Sequence, residues 1–246
     1  MKIKNNIPNA ITILNLISGF VSVIMVLEGN FILASLFIFL AALFDFLDGM
    51  VARWLKAHSL IGKDLDSLAD VISFGVAPGI LMYQLLSFHC SGSSNILERM
   101  HIAPYFALLI PVCAAIRLAK FNNDIRQEES FIGLPTPANA LFFASIPLVL
   151  LLQFRIFSII RFSFLADLFS NARVLVILIV FFSYLMISDL RLFSMKVKTL
   201  DFQHNKVRFI FAILALLLLI LFSINGIPMI IILYLILSLF SKENYI

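Results

Sequence analysis

The chain has 246 residues, of which 62% are hydrophobic and 13% charged, and its mean hydropathy is +1.06. This composition excludes an ordinary soluble domain and is typical of an integral membrane protein. The net charge of +4, from 18 basic and 14 acidic residues, is too small to suggest a nucleic-acid partner and bears instead on membrane topology.

Eight apolar segments are predicted to be transmembrane helices, because a span needs about 20 mostly apolar residues. In chain order they cover residues 7–28, 31–55, 65–88, 102–122, 137–157, 172–190, 207–224 and 227–241. The first resembles a signal peptide only superficially. Its apolar run is too long and contains Pro8, Asn9 and Asn15, so we expect a retained helix. The last two form either a helical hairpin or one broken helix.

Lysine and arginine are distributed unevenly between the predicted loops. With the N-terminus in the cytoplasm, all but four of the 18 fall at the cytoplasmic side. The exceptions are Arg99, Arg155, Arg161 and Arg173. Because cytoplasmic loops are enriched in basic residues, this orientation is favoured. The acidic stretch 45–70 is then predicted to lie at the cytoplasmic ends of the second and third helices and in the loop between them.

Two pairs of aspartates stand out in that stretch. Asp45 and Asp48 are three residues apart near the end of the second helix, and Asp66 and Asp70 are four apart at the start of the third. Each pair shares one helical face, so two antiparallel neighbours can bring four carboxylates together. Such close charges repel strongly at low dielectric unless a cation or protons neutralise them. Clustered hard oxygen ligands favour one or two Mg²⁺ or Mn²⁺ ions.

Asp64 does not fit the cluster. It is two residues from Asp66 and points about 200° around the helix, so it cannot share that face. We expect a solvated carboxylate near a helix N-terminus, where the helix dipole favours a negative charge.

Small and basic residues are interleaved with the aspartates. Gly49 and Ala52 follow Asp48 on the same side of the second helix and leave space for a flat group or for another helix. Arg53 supplies a phosphate-binding fork, and Gly62 permits a turn before the third helix. Each feature alone is explained by interfacial charge or helix packing, but the joint pattern is unlikely to arise by chance.

The pattern Asp45-x2-Asp48-Gly49-x2-Ala52-Arg53-x8-Gly62-x3-Asp66-x3-Asp70 resembles the complete signature of the CDP-alcohol phosphotransferase family. The resemblance implies an all-α, polytopic membrane helix bundle of about eight transmembrane helices that forms a homodimer. It also implies an enzyme that replaces the CMP of a CDP-linked lipid or alcohol with an acceptor hydroxyl. We expect residues 1–198, with six transmembrane helices, to be the catalytic core, and residues 199–246 to be a C-terminal hairpin packed on it. The hairpin is almost free of polar residues, so we expect it to pad the bundle against lipid.

The resemblance also implies roles for individual residues. Asp70 would be the general base that deprotonates the acceptor. Two Mg²⁺ or Mn²⁺ ions would be held by Asp45, Asp48, Asp66 and Asp70. The CDP-diacylglycerol pocket would be lined by Gly49, Ala52, Arg53, Ser59 and Gly62.

Three further segments resemble the phosphatidylserine synthase branch of that family: SFGVAP after Asp70, AAIRLAKFN at 114–122 and GLPTPANA at 133–140. They imply phospholipid biosynthesis from CDP-diacylglycerol and L-serine in the inner (cytoplasmic) membrane, with the active site facing the cytoplasm. Arg117 can pair bidentately with the serine carboxylate, Asn122 offers a donor and an acceptor, and Thr136 can cap the next helix. We predict that these three residues bind serine. The alternative for Arg117 is an arginine that snorkels to the membrane surface.

Two other functions stay open from the sequence. The same chemistry with glycerol 3-phosphate or an inositol phosphate as acceptor would need additional basic residues in the pocket. A cation-coupled transporter would place acidic residues near the bilayer midplane and would show broken helices and a repeated half. The acidic residues instead cluster at one predicted interface, which favours the transferase.

Overall fold

The computed structural model describes residues 2–56, 61–90, 102–123, 131–152, 164–193 and 206–240. The longest helices of the first half are α1 (Lys2–Leu27), α2 (Phe31–Leu55), α3 (Gly62–Asp70), α4 (Ala77–Cys90) and α5 (Leu109–Asn123). A π-helical segment, Val71–Val76, joins α3 to α4, and a 3₁₀ segment, Ala103–Leu108, leads into α5. The second half contains α6 (Thr136–Leu152), α7 (Phe164–Phe169), α8 (Ala172–Ile187), α9 (Lys206–Phe222) and α10 (Gly226–Phe240).

The predicted all-α membrane bundle is confirmed. Among the described residues, four helical segments are long and apolar enough to cross a membrane: Asn6–Leu27, Phe31–Leu55, Gly62–His89 and Ala103–Asn123. A fifth apolar stretch, Lys206–Leu239, has the required length but consists of two helices, α9 and α10. Two shorter apolar helices cover Thr136–Leu151 and Ala172–Ile187. Each predicted helix overlaps a helix of the structure, although the predicted end of the fifth lies outside the described residues. The short helix α7 was not predicted.

The C-terminal segment is a hairpin, so the structure decides between the two forms that the sequence left open. Ser223 has a left-handed backbone, with φ of +52°, which ends α9. A Cβ added to Gly226 would lie 2.6 Å from the carbonyl oxygen of Leu218. Eight residues of continuous helix would separate these positions by about 12 Å. The chain therefore reverses, and the Tyr234 ring of α10 lies 5.9 Å from the Phe211 ring of α9.

A tight turn also makes α1 and α2 antiparallel neighbours. Gly29 adopts a φ of +76°, which glycine tolerates without a steric penalty. The side chain of Asn30 then accepts a hydrogen bond from the Leu33 amide and caps the start of α2. At its other end α2 stops at Lys56, whose backbone is left-handed.

Small residues let the π-helical segment pack closely against its neighbours. Ala41 of α2, Phe74 of the π-helical segment and Ala140 of α6 belong to one buried cluster. Gly75 of the same segment and Gly79 of α4 lie against Pro111 near the start of α5. Because small side chains permit close backbone approach, these contacts hold the π-helical segment, which directly follows Asp70, beside α2, α5 and α6.

The start of α6 is fastened to the end of α8 by a two-residue antiparallel ladder, in which β1 (Phe131–Ile132) pairs with β2 (Arg191–Leu192). Gly133 follows with a φ of +74°, and its amide donates to the Leu190 carbonyl. A Cβ at Gly133 would lie 2.5 Å from the Met186 carbonyl oxygen, so glycine is required there. The ladder and the Gly133 turn thereby fix the first turn of α6.

Candidate active site

Three carboxylates meet where the last turns of α2 face the start of α3. One carboxylate oxygen from each of Asp45, Asp48 and Asp66 lies within 4.8 Å of the other two. Asp48 is buried, and Asp45 and Asp66 are half-buried. Asp64 is exposed, as its helical position predicted. The helical spacing of the aspartates and the short connection between the two helices together produce this convergence.

Asp70 lies one turn further along α3 and is only 7% exposed. Among the described residues, the group within 4.8 Å does not include it. It nevertheless lies within electrostatic range of Asp45 and Asp66 and of the guanidinium of Arg117. The structure therefore distinguishes a compact group of three carboxylates from a fourth, which lies one turn further along α3.

The group of three fits a divalent metal ion. All of its donors are hard carboxylate oxygens, which Mg²⁺ and Mn²⁺ prefer. The Oδ1 atom of Asp66 is buried and has no hydrogen-bond partner among the described residues, so one strong acceptor is left for a ligand. A cation would also relieve the repulsion among the three charges. The cluster can thus bind a divalent metal.

The helix side that follows Asp48 is open. No atom of the described residues would lie within 4 Å of a Cβ added to Gly49, so none of the described helices packs against this point. Ala52 is half-buried on the same side, and Arg53 is exposed in the last turn of α2. Gly62 is the first residue of α3. Ser59 lies outside the described residues.

Arg117 is buried rather than exposed at the surface. It is 6% exposed, and its Cζ lies 5.8 Å from the centroid of the Phe121 ring. Within the described part of the chain, its Nε has no hydrogen-bond partner. The alternative of a snorkelling arginine is therefore wrong. An arginine so far from water requires a negative partner, and Asp70 is within its electrostatic range.

Asn122 connects two helices. Its Nδ2 donates to Ser67 Oγ at 2.7 Å, and its backbone carbonyl accepts from Lys63 Nζ at 2.8 Å. Both partners belong to α3, which carries Asp66 and Asp70. Asn122 thus ties the end of α5 to the helix that presents half of the acidic cluster.

Thr136 begins α6 but does not cap it. The residue is fully buried, and its hydroxyl makes no hydrogen bond to any residue that the structure describes. The expectation of a threonine cap is wrong because Thr136 is already the first helical residue. The first turn closes with the bond from the Asn139 amide to the Pro135 carbonyl.

The same turn carries Asn139, which the sequence analysis did not single out. It is fully buried, and neither polar atom of its side chain has a hydrogen-bond partner in the described ranges. Thr136 and Asn139 share a helix face with Ala140, which packs with Ala41 and Phe74. Asp45 lies one helical turn after Ala41, and Asp70 lies one turn before Phe74. Both aspartates are thus displaced towards the same end of the bundle. Unpartnered polar atoms therefore lie near the aspartates.

Helix α1 contributes two polar residues that sequence reasoning also missed. The Thr12 hydroxyl donates to Asp48 Oδ2 at 2.7 Å, and Asn15 Nδ2 donates to Asp70 Oδ1 at 3.2 Å. The signal was present as a buried polar stripe of Thr12, Asn15, Ser18 and Ser22 along an apolar helix.

The C-terminal hairpin reaches the same region. Tyr234 is buried, its hydroxyl donates to the Phe193 carbonyl at 3.0 Å, and it lies within electrostatic range of Arg117. The expectation that this hairpin only pads the bundle is therefore incomplete.

Comparison with known proteins is consistent with this geometry. The family model described as CDP-alcohol phosphatidyltransferase matches residues 5–166. The chain is 40% identical over 147 residues to a CDP-diacylglycerol–serine O-phosphatidyltransferase of Bacillus subtilis, a match that covers 60% of this chain and 75% of that protein. It is 37% identical over 142 residues to the enzyme of the same name from Mycobacterium leprae, covering 55% of this chain and 44% of that protein. An archaetidylserine synthase of Methanothermobacter thermautotrophicus is also 37% identical over 142 residues, and 56% of each chain is covered. The matched region thus spans about half of the last two relatives.

Proposed function

Since the chain belongs to the CDP-alcohol phosphatidyltransferase family, we propose that it transfers the phosphatidyl group of CDP-diacylglycerol to the hydroxyl of L-serine. The products are phosphatidylserine and CMP. The family match confirms the resemblance noted in residues 45–70. The observation that carries the proposal is the convergence of Asp45, Asp48 and Asp66 within 4.8 Å at the ends of two membrane helices.

Asp45, Asp48 and Asp66, together with Asp70, would hold Mg²⁺ or Mn²⁺. When bound, the metal neutralises the diphosphate and makes CMP a better leaving group. Asp70 accepts the proton of the serine hydroxyl as that oxygen attacks the phosphorus of the phosphatidyl group. The bond from phosphorus to the CMP oxygen breaks, and CMP leaves with the electron pair. The separation of Asp70 from the group of three supports a distinct role for it.

The CDP-diacylglycerol pocket lies along the open side of α2. The free space at Gly49 and the small side chain of Ala52 leave room for the nucleotide, and Arg53 pairs with phosphate. Gly62 and Ser59 complete this pocket in the proposal. The lipid tails remain in the bilayer beside the helices.

The acceptor binds on the other side of Asp70. The unpartnered Nε of buried Arg117 suits the serine carboxylate, since an arginine fork pairs with it bidentately. The free hydroxyl of Thr136 and the free amide of Asn139 are further candidates for binding the polar head of serine. Asn122 is not assigned to serine binding here, because its side-chain amide already donates to Ser67 Oγ. It instead holds the end of α5 against α3.

The long apolar helices indicate an integral membrane protein. We infer that its active site faces the cytoplasm from the inner membrane, since basic residues are concentrated at that end of the predicted spans. Residues 1–198 form the catalytic core, with residues 199–246 packed on it, and the enzyme acts as a homodimer. Chemical crosslinking of the protein in its own membrane tests whether it is a homodimer.

An acceptor panel tests the function. Purified protein is given labelled CDP-diacylglycerol with Mg²⁺ or Mn²⁺ and with serine, glycerol 3-phosphate or an inositol phosphate. We expect CMP and labelled phosphatidylserine when serine is the acceptor, and no product with either of the other two acceptors. If glycerol 3-phosphate gives product and serine gives none, serine is rejected as the acceptor. Absence of CMP with every acceptor would reject the transferase and favour a transporter.

A further inference from the structure

Asn15 is a fully buried amide in an apolar membrane helix. A polar group in such a place is unfavourable unless it is hydrogen-bonded, so its partner is informative. That partner is the candidate base, because Asn15 Nδ2 donates to Asp70 Oδ1 at 3.2 Å. A bond to one carboxylate oxygen fixes the rotation of the group and thereby the direction of the other oxygen.

The backbone of Asn15 is held as firmly as its side chain. Its carbonyl accepts a hydrogen bond from Ser73 Oγ at 3.0 Å, and Ser73 is fully buried. One turn further along α1, a Cβ added to Gly19 would lie 2.6 Å from the Ser73 Cα. The two helices therefore touch at backbone distance beside the bond from Asn15 to Asp70.

Ser73 belongs to the π-helical segment Val71–Val76, which begins directly after Asp70. Isolated π-helical turns are uncommon and occur frequently at functional sites. Here the segment lets Asp70 and Ser73 contact the same residue of α1, one through its side chain and one through its carbonyl. Asn15 is thus clamped from two positions on the helix that carries the base.

We propose that Asn15 is a positioning residue that holds the Asp70 carboxylate towards the acceptor hydroxyl. The inference rests on the proposed function, in which Asp70 takes that proton. Arg117 is within electrostatic range of Asp70. Without Asn15, the Asp70 carboxylate can rotate about its bond to Cβ, so its second oxygen is no longer directed at the acceptor hydroxyl. Binding of CDP-diacylglycerol is unaffected, because its proposed pocket lies along the Gly49 side of α2.

The test compares Asn15→Leu, which is close in volume, with a matched control on the same helix. Ser22 is also fully buried and bonds across helices, through Oγ to the Ala34 carbonyl at 2.8 Å. Steady-state kinetics give kcat and both KM values, and calorimetry gives the affinity for Mn²⁺ alone. For Asn15→Leu we expect kcat to fall about 10- to 100-fold, because small misplacements of a catalytic group have effects of that size. Both KM values and the Mn²⁺ affinity should stay within about threefold of wild type.

Ser22→Ala should keep the wild-type kcat and lose only thermal stability. Ser73→Ala keeps the Asn15 side chain but removes the bond to its carbonyl, so its kcat should lie between those of wild type and Asn15→Leu. If Asn15→Leu does not fold, Asn15→Ala and Ser73→Ala provide the same comparison. Wild-type kcat in folded Asn15→Leu, or an equal loss in Ser22→Ala, would overturn the proposal.

The outcome is separable from that of the proposed function. Failure of serine as acceptor appears in the wild-type protein as absence of phosphatidylserine. Failure of the Asn15 role appears only in the ratio of variant to wild-type CMP release, which is measured with whichever acceptor the wild type uses.

Discussion

Neutralising Asp66 should stabilise the metal-free protein and weaken its response to metal. One carboxylate oxygen from each of Asp45, Asp48 and Asp66 lies within 4.8 Å of the other two, and at 4.8 Å two unit charges repel by about 3.5 kcal/mol at an effective dielectric of about 20. Asp66 takes part in two of the three pairs, so Asp66→Asn removes about 7 kcal/mol of repulsion from the fully charged cluster. Uptake of a proton by a carboxyl relieves part of the repulsion, so the measured gain is smaller.

The assay is thermal unfolding in detergent, with EDTA and then with Mg²⁺ or Mn²⁺ restored. For a chain of this size, 1 kcal/mol corresponds to roughly 2–4 °C in Tm. In EDTA we expect Asp66→Asn to melt several degrees above wild type, and added metal should raise the wild-type Tm by more than that of the variant. Asp64→Asn is the matched control, because Asp64 is exposed and lies outside the cluster.

Two results would refute this reasoning. A wild-type Tm that is the same in EDTA and in metal would show that the three carboxylates do not bind a stabilising cation. Equal behaviour of Asp66→Asn and Asp64→Asn would show that the three charges do not repel one another in the folded protein.

Three further substitutions test the assigned roles. Asp70→Asn should lower kcat by about 10²- to 10⁴-fold and leave binding of labelled CDP-diacylglycerol detectable, whereas near-normal turnover would remove Asp70 as the base. Gly49→Leu fills the open space beside α2 and should weaken CDP-diacylglycerol binding about tenfold at unchanged Tm. If Gly49→Leu binds CDP-diacylglycerol as tightly as Gly49→Ala does, the ligand does not occupy this space. Arg117→Lys keeps the charge but loses the bidentate fork, so initial rates should show a raised KM for serine alone. An unchanged serine KM would separate Arg117 from the acceptor.

The acidic cluster was predictable because its geometry is local. Helical periodicity alone puts Asp45 with Asp48 and Asp66 with Asp70, and a short connection brings the two helices together. The exclusion of Asp64 followed from the same periodicity. The residues of the nucleotide pocket, by contrast, came from the resemblance to a family and not from their spacing.

Residues on distant helices were not predictable in this way. Thr12 is 36 positions from Asp48, and Asn15 is 55 positions from Asp70. A polar stripe on an apolar helix indicates that something polar faces it, but does not say which helix packs there. Tyr234 and Asn139 escaped notice for the same reason.

By itself, the sequence determined the membrane class, the helices and the acidic cluster, because chain length, hydropathy and helical spacing act over a few turns. The tertiary structure decided that Arg117 is buried, that Asn122 braces two helices and that residues 206–240 fold back as a hairpin. It also decided which helix supports the candidate base. Those outcomes depend on the packing of separate helices, where glycine and alanine contacts set the distance between backbones.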